Sequence, residues 1–200
     1  MKTCFAGKGR KVLILYLYQY GNAAIVSSFL TGKLSLAVTI LCQLQYLTSV
    51  IWLVRKSPSQ ASHKTRLAWV LLCLSLMVVL SILIGLVSPV HSGNQETLMT
   101  VQNQVPFLVF GLFLVIASLV EEVVYRGYLW ELFPVPYPAL LVTTLVFALA
   151  HHPASLSAWL VYLGLGLCLG VMRQQTDLYG SIVLHVLWNS FVLMLQLCVI

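Results

Sequence analysis

From Leu67 to Val90 the chain runs without a single charged residue. About 20 helical residues cross the ~30 Å hydrocarbon core of a bilayer, so this stretch is long enough to span one. Comparable apolar runs lie at Val12–Leu30, Leu34–Val54, Val105–Trp130, Ala139–His152, Leu156–Met172 and Leu178–Leu197. Charged residues make up 8% of the chain and hydrophobic ones 60%, where a soluble domain carries about 25% charged residues. No run alternates with the two-residue period of an outer-membrane barrel. The fold class expected is all-α: a polytopic transmembrane bundle of about seven spans. Residues 1–200 read as one transmembrane domain, with accessory spans over 1–104 and the chemistry-bearing core over 105–199. The first run is the weakest, broken by Gln19, Asn22, Ser27 and Ser28. It reads as a retained span and not as a cleaved signal peptide, because no small-residue cleavage site follows it.

The net charge of +6 matters through its distribution. Lys2, Lys8, Arg10 and Lys11 precede the first run, and Arg55, Lys56, Lys64 and Arg66 share one loop. This bias orients membrane proteins and is no nucleic-acid footprint; it places the N-terminus and the 55–66 loop in the cytoplasm. The segment His91–Gln104 has no Lys or Arg and reads as an outer loop. Pro134, Pro136 and Pro138 punctuate a turn that no helix continues through. The run after it, about 14 residues or ~21 Å, is too short to cross alone and suggests a water-filled cavity beside it. Asp177 is placed as the N-cap of the last helix. The cysteines, Cys4, Cys42, Cys73, Cys168 and Cys198, form no CxxC pair and read as free thiols.

Most charges lie at span ends. The exception is ASLVEEVVYRGYLW, which holds Glu121, Glu122 and Arg126 inside one run. A charge at the bilayer centre costs about 2.5–3.5 kcal/mol on insertion scales, so these groups need partners or water. Glu122 and Arg126 are i and i+4 with the acid first, the favourable order for a helical ion pair. They are assigned to mutual neutralisation. Glu121, about 100° away around the helix, is left as a carboxylate available for general acid–base work. FALAHHP brings Phe147, His151 and His152. Counted from the proline turn, Glu121 and His151 stand at one depth in an antiparallel hairpin, where together they could activate a water. His152 is given no role. LHVLWNS presents His185 and Asn189 on one helical face as donors for a developing oxyanion. Only eight residues separate His185 from Asp177, a depth that does not match His151.

EEVVYR, FALAH and HVLWN, in that order, resemble the CAAX prenyl protease and bacteriocin-processing (Abi) family of intramembrane glutamic endopeptidases. The family pattern EExxxR, FxxxH, HxxxN falls here on Glu121, Glu122, Arg126, Phe147, His151, His185 and Asn189. The resemblance covers the half from Val105 onward. It implies peptide-bond hydrolysis within the membrane, with Glu121 and His151 activating water and His185 and Asn189 stabilising the oxyanion. The expected partners are the bilayer and a peptide or membrane-protein substrate.

Other readings compete. Glu121, Glu122, His151 and His185 could gather a zinc ion, although there is no HExxH; the expectation is no cofactor. A bacteriocin immunity or scaffold protein would need no turnover, and the family resemblance does not separate the two. A proton-coupled transporter also uses buried Glu and His, but the chain shows no repeated halves. Tyr125, one turn from Glu121, reads as packing, as do Trp52, Trp69, Trp130, Trp159 and Trp188.

Overall fold

The structure is a computed structural model that describes residues 20–55, 57–59 and 61–199. Residues 20–30 form α1. There follow α2 (Leu36–Val54), α3 (His63–Val87), α4 (Gly93–Gln102), α5 (Phe107–Glu122), α6 (Pro136–Ala150), α7 (Leu156–Gln175) and α8 (Leu178–Val199). The α5 axis continues through a π-helical stretch, Val123–Leu129, and a 3₁₀ turn, Trp130–Leu132. Five of the described helical rods are long and apolar enough to cross a membrane: α2, α3, Phe107–Leu132, α7 and α8. The protein is a multi-pass helical membrane protein. The part of the first apolar run before residue 20, with its retained-span and signal-peptide readings, lies outside the described residues, as does Cys4.

Local chemistry moves three expected boundaries. The outer loop over His91–Gln104 holds a helix, α4, that its polar composition concealed. Ser92 caps it, accepting from Gln95 N at 3.5 Å, and Glu96 sits in its first turn, where the helix dipole favours an acid. Helix α6 starts at Pro136, ahead of the expected Ala139, because prolines in a first turn lack only N–H groups that have no helical partner anyway. Helix α3 starts at His63, since Ser62 Oγ accepts from Thr65 N at 3.1 Å and caps it there.

Helix α7 is the hub, packing on α3, α6 and α8, while α5 packs on α2 and α8. The main core runs through Met77, Ile116, Val124, Phe147, Leu165, Leu169 and Leu184. A smaller cluster, with Val26, Val109, Phe110 and Leu193, joins α1, α5 and α8. Gly166 permits the close approach of α6 and α7: a Cβ there would stand 3.1 Å from the Thr144 methyl and 3.3 Å from the Phe147 ring. Leu71, Leu72, Leu76, Val79, Ile82 and Leu86 of α3 are exposed, the face that a spanning helix turns to lipid.

At one end Asp177 is fully buried. Its Oδ2 pairs with Arg66 at 2.7 Å and accepts from Ala61 N, while Oδ1 accepts from Gly180 N at 3.0 Å as the N-cap reading expects. At the other end the α3–α4 and α6–α7 connections are tied together: Ala154 N donates to His91 O, and Gly93 N to His152 O.

Candidate active site

The α-helical geometry of α5 delivers Glu121 and Glu122 to different surroundings. Glu122 is fully buried, while the Glu121 side chain keeps 23% of its surface and faces a cavity. Glu122 Oε1 accepts from Arg126 Nη1 at 3.1 Å, as the i, i+4 spacing anticipates. The Arg126 guanidinium also donates to Gly166 O at 3.0 Å and lies over the Phe147 ring at 4.6 Å. It therefore meets a carboxylate, a carbonyl and an aromatic face, which suits a planar delocalised cation.

Immediately after the glutamates the helix widens into its π stretch, a form that recurs at functional sites. The Arg126 carbonyl accepts from Arg173 Nε at 2.9 Å, so the irregular backbone is stabilised from α7.

Helix α6 ends at Ala150, and its short length leaves His151 beside Glu121 instead of at a far surface. His151 Nε2 stands 3.8 Å from Glu121 Oε2. Its Nδ1 is 2.7 Å from Phe147 O; a carbonyl only accepts, so Nδ1 carries the proton and Nε2 faces Glu121. The imidazole is held between the rings of Phe147, at 4.3 Å, and Tyr162, at 4.5 Å. Phe147 also meets His185 edge-on at 5.8 Å and Tyr125 at 5.9 Å, so one buried ring touches four site residues.

His185 reaches the same level. Its Nδ1 is 2.9 Å from Glu122 Oε1, and its Nε2 is 4.0 Å from Glu121 Oε2. The expected mismatch in depth is corrected by the burial of Asp177. Helix α8 begins inside the protein, where Ser59, Ala61 and Arg66 bond its cap Asp177, so eight residues from that cap reach the site. Asn189 Nδ2 donates to Ser118 Oγ at 2.9 Å, and Ser118 Oγ donates to Leu114 O at 2.8 Å. The amide is thus fixed, with its second N–H uncommitted to Ser118.

Glu121, His151, His185 and Asn189 line one cavity of about 330 Å³. The separations of 3.8 and 4.0 Å around Glu121 Oε2 are too long for direct hydrogen bonds, and that oxygen is buried without a partner. Among the described residues no group of three or more His, Cys, Asp or Glu side chains is placed to hold a metal ion. His152 turns the chain after α6 with φ 48°, its carbonyl holds Gly93 N, and it lines a second cavity that also reaches Glu121 and His151.

Sequence reasoning missed Tyr162, Ser118, Arg173 and the Gly166 carbonyl. A tyrosine and a serine in apolar helices are single polar residues in no pattern. Only the rule that a buried hydroxyl needs a partner marks them.

Residues 103–191 match the Rce1-like family, described as type II CAAX prenyl endopeptidase. The UPF0177 protein YvdC of Lactococcus lactis is 31% identical over 131 residues, which cover 62% of this chain and 50% of that protein. The chain thus spans about half the length of this curated relative. No solved structure matches. The motif residues that the structure brings together, Glu121, Glu122, Arg126, Phe147, His151, His185 and Asn189, all lie within the stretch that is similar to the Rce1-like family.

Proposed function

We propose that the protein is an intramembrane endopeptidase in which Glu121 and His151 together activate a water molecule. The observation that carries this reading is the 3.8 Å separation of Glu121 Oε2 and His151 Nε2 across a cavity wall, a spacing that suits one shared water. The water oxygen attacks the scissile carbonyl carbon, and its proton passes to Glu121. Glu121 then delivers that proton to the amide nitrogen as the C–N bond breaks, leaving a carboxylic acid and an amine and restoring the carboxylate. His151, whose Nδ1–H is bound to Phe147 O, presents a lone pair on Nε2 that orients the water.

His185 and Asn189 polarise the carbonyl. The Glu122 carboxylate fixes His185 and compensates a doubly protonated ring, whose Nε2–H can then donate to the oxyanion. Asn189 offers its second N–H. Glu122 and Arg126 support the site and touch no reacting atom. The family match to a prenyl endopeptidase supports peptide hydrolysis. The substrate is a membrane-associated protein or peptide precursor. Arg55, Lys64, Arg66 and Arg173 gather at the end of the bundle away from α4, and by the positive-inside bias that end faces the cytoplasm.

The test is cleavage of a quenched fluorescent peptide library by detergent-purified protein, with strong chelator present. Wild type is expected to cut, and Glu121→Gln to lose at least about 10²-fold in rate while melting as wild type does. Cleavage abolished by chelator points to a metal instead. A well-folded wild type that cuts nothing favours an immunity or scaffold role.

A further inference from the structure

Two cavities meet at Glu121 and His151, and they differ in kind. The larger, about 760 Å³, is a trough between α1 and α4. Asn22, Ala23 and Ser27 stand on one wall and Asn94 and Thr97 on the other. It follows α1 over residues 20–30, about 16 Å of helix, room for roughly five residues of extended chain. Its amides and hydroxyls can bond the N–H and C=O groups of such a chain.

The smaller cavity, of about 330 Å³, lies beyond Glu121. Met77, Leu165 and Leu169 are buried and apolar and close its far end. A peptide backbone cannot continue into that wall, because its polar groups would lose their partners. An apolar side chain can enter. Ser81, half-buried in α3, is the polar exception on this wall, and its hydroxyl is buried with no partner. Leu98, Phe113 and Ala117 line both cavities together with Glu121 and His151, so the junction lies at the proposed reacting groups.

We infer that the substrate is an extended peptide segment in the α1–α4 trough with one large apolar side chain, adjacent to the scissile bond, in the inner cavity. This rests on the peptidase reading and names its substrate class. Ser81 sets the size of the accepted side chain, and Ala23 lies along the path of the extended segment.

The probes are quenched decapeptides of Ser, Asn and Gly around one central Phe, Leu or Ala, and versions trimmed by four residues at either end. Wild type is expected to cut the Phe and Leu peptides at least about tenfold faster than the Ala peptide. Ser81→Phe fills the inner cavity and reverses that order, and an unchanged melting temperature shows the variant folded. Ala23→Trp raises KM for the decapeptides about tenfold and leaves the peptide trimmed on the trough side unaffected. A size preference unchanged in Ser81→Phe overturns the inner-cavity assignment, and a KM insensitive to both trimming and Ala23→Trp overturns the trough. Wild type that cuts the mixed library but none of these peptides overturns both. Wild type that cuts neither fails the peptidase reading itself and takes the inference with it.

Discussion

The two halves of the molecule handle polar groups differently. From α5 to α8, Glu122, Arg126 and His185 are buried in one connected network, and each has a partner from another residue of the site. From α1 to α3 the buried polar side chains, Asn22, Thr39 and Gln43, bond to backbone. Asn22 Nδ2 donates to Phe113 O and Gln43 Nε2 to Val109 O, both on α5. The helices α5 and α7 also bury a larger share of their residues than α2 and α3, which turn leucines to lipid. A connected buried network rigidifies a site, whereas single amide bonds fasten one helix to another. The first half acts as a wall clipped onto the second.

Three substitutions break or sharpen that contrast. The largest effect belongs to Arg126→Ala, which leaves Glu122 buried without its guanidinium. Removing one member of a buried ion pair costs about 3–5 kcal/mol, so the variant is expected to unfold at clearly lower SDS fraction in a mixed-micelle titration. Gly166→Val comes next. Its Cβ alone would stand 3.1–3.3 Å from Thr144 and Phe147, with two methyls beyond it, and overpacking of this kind costs about 1–3 kcal/mol. The same titration reads it, with a loss of activity because Phe147 and the Gly166 carbonyl hold His151 and Arg126. Gln43→Leu is expected to cost the least, about 0.6 kcal/mol, the mean for interhelical hydrogen bonds in membranes. If Gln43→Leu destabilises as much as Arg126→Ala, the contrast between the halves is wrong.

The fold class was legible because long uncharged runs admit one solution in lipid. The Glu122–Arg126 pair was legible because i, i+4 spacing is set within a single helix. The equal depth of Glu121 and His151 followed from counting out of a proline turn. What counting could not reach was anything set by another element. His185 looks too shallow when counted from Asp177, because counting does not show that this cap is itself buried, bonded to Ala61 N and Arg66. Helix α4 was hidden by its polarity, since Leu98 and Val101 alone face the core from it and so short an apolar stripe has the composition of a loop. Tyr162 was invisible because its partners, Ser92 and His151, lie on other segments, at 3.1 Å from its hydroxyl and 4.5 Å from its ring.

The central claim is that Glu121 and His151 act on one water as a unit. The direct measurement is single-turnover cleavage, in chelator, by wild type, Glu121→Gln, His151→Ala and the double variant, each checked for an unchanged melting temperature. Groups that act as a unit are strongly non-additive. Shared activation predicts that the double variant is no slower than the slower single variant, with each single loss about 10²–10⁴-fold. Losses that multiply in the double variant, or cleavage that survives both substitutions, would contradict it.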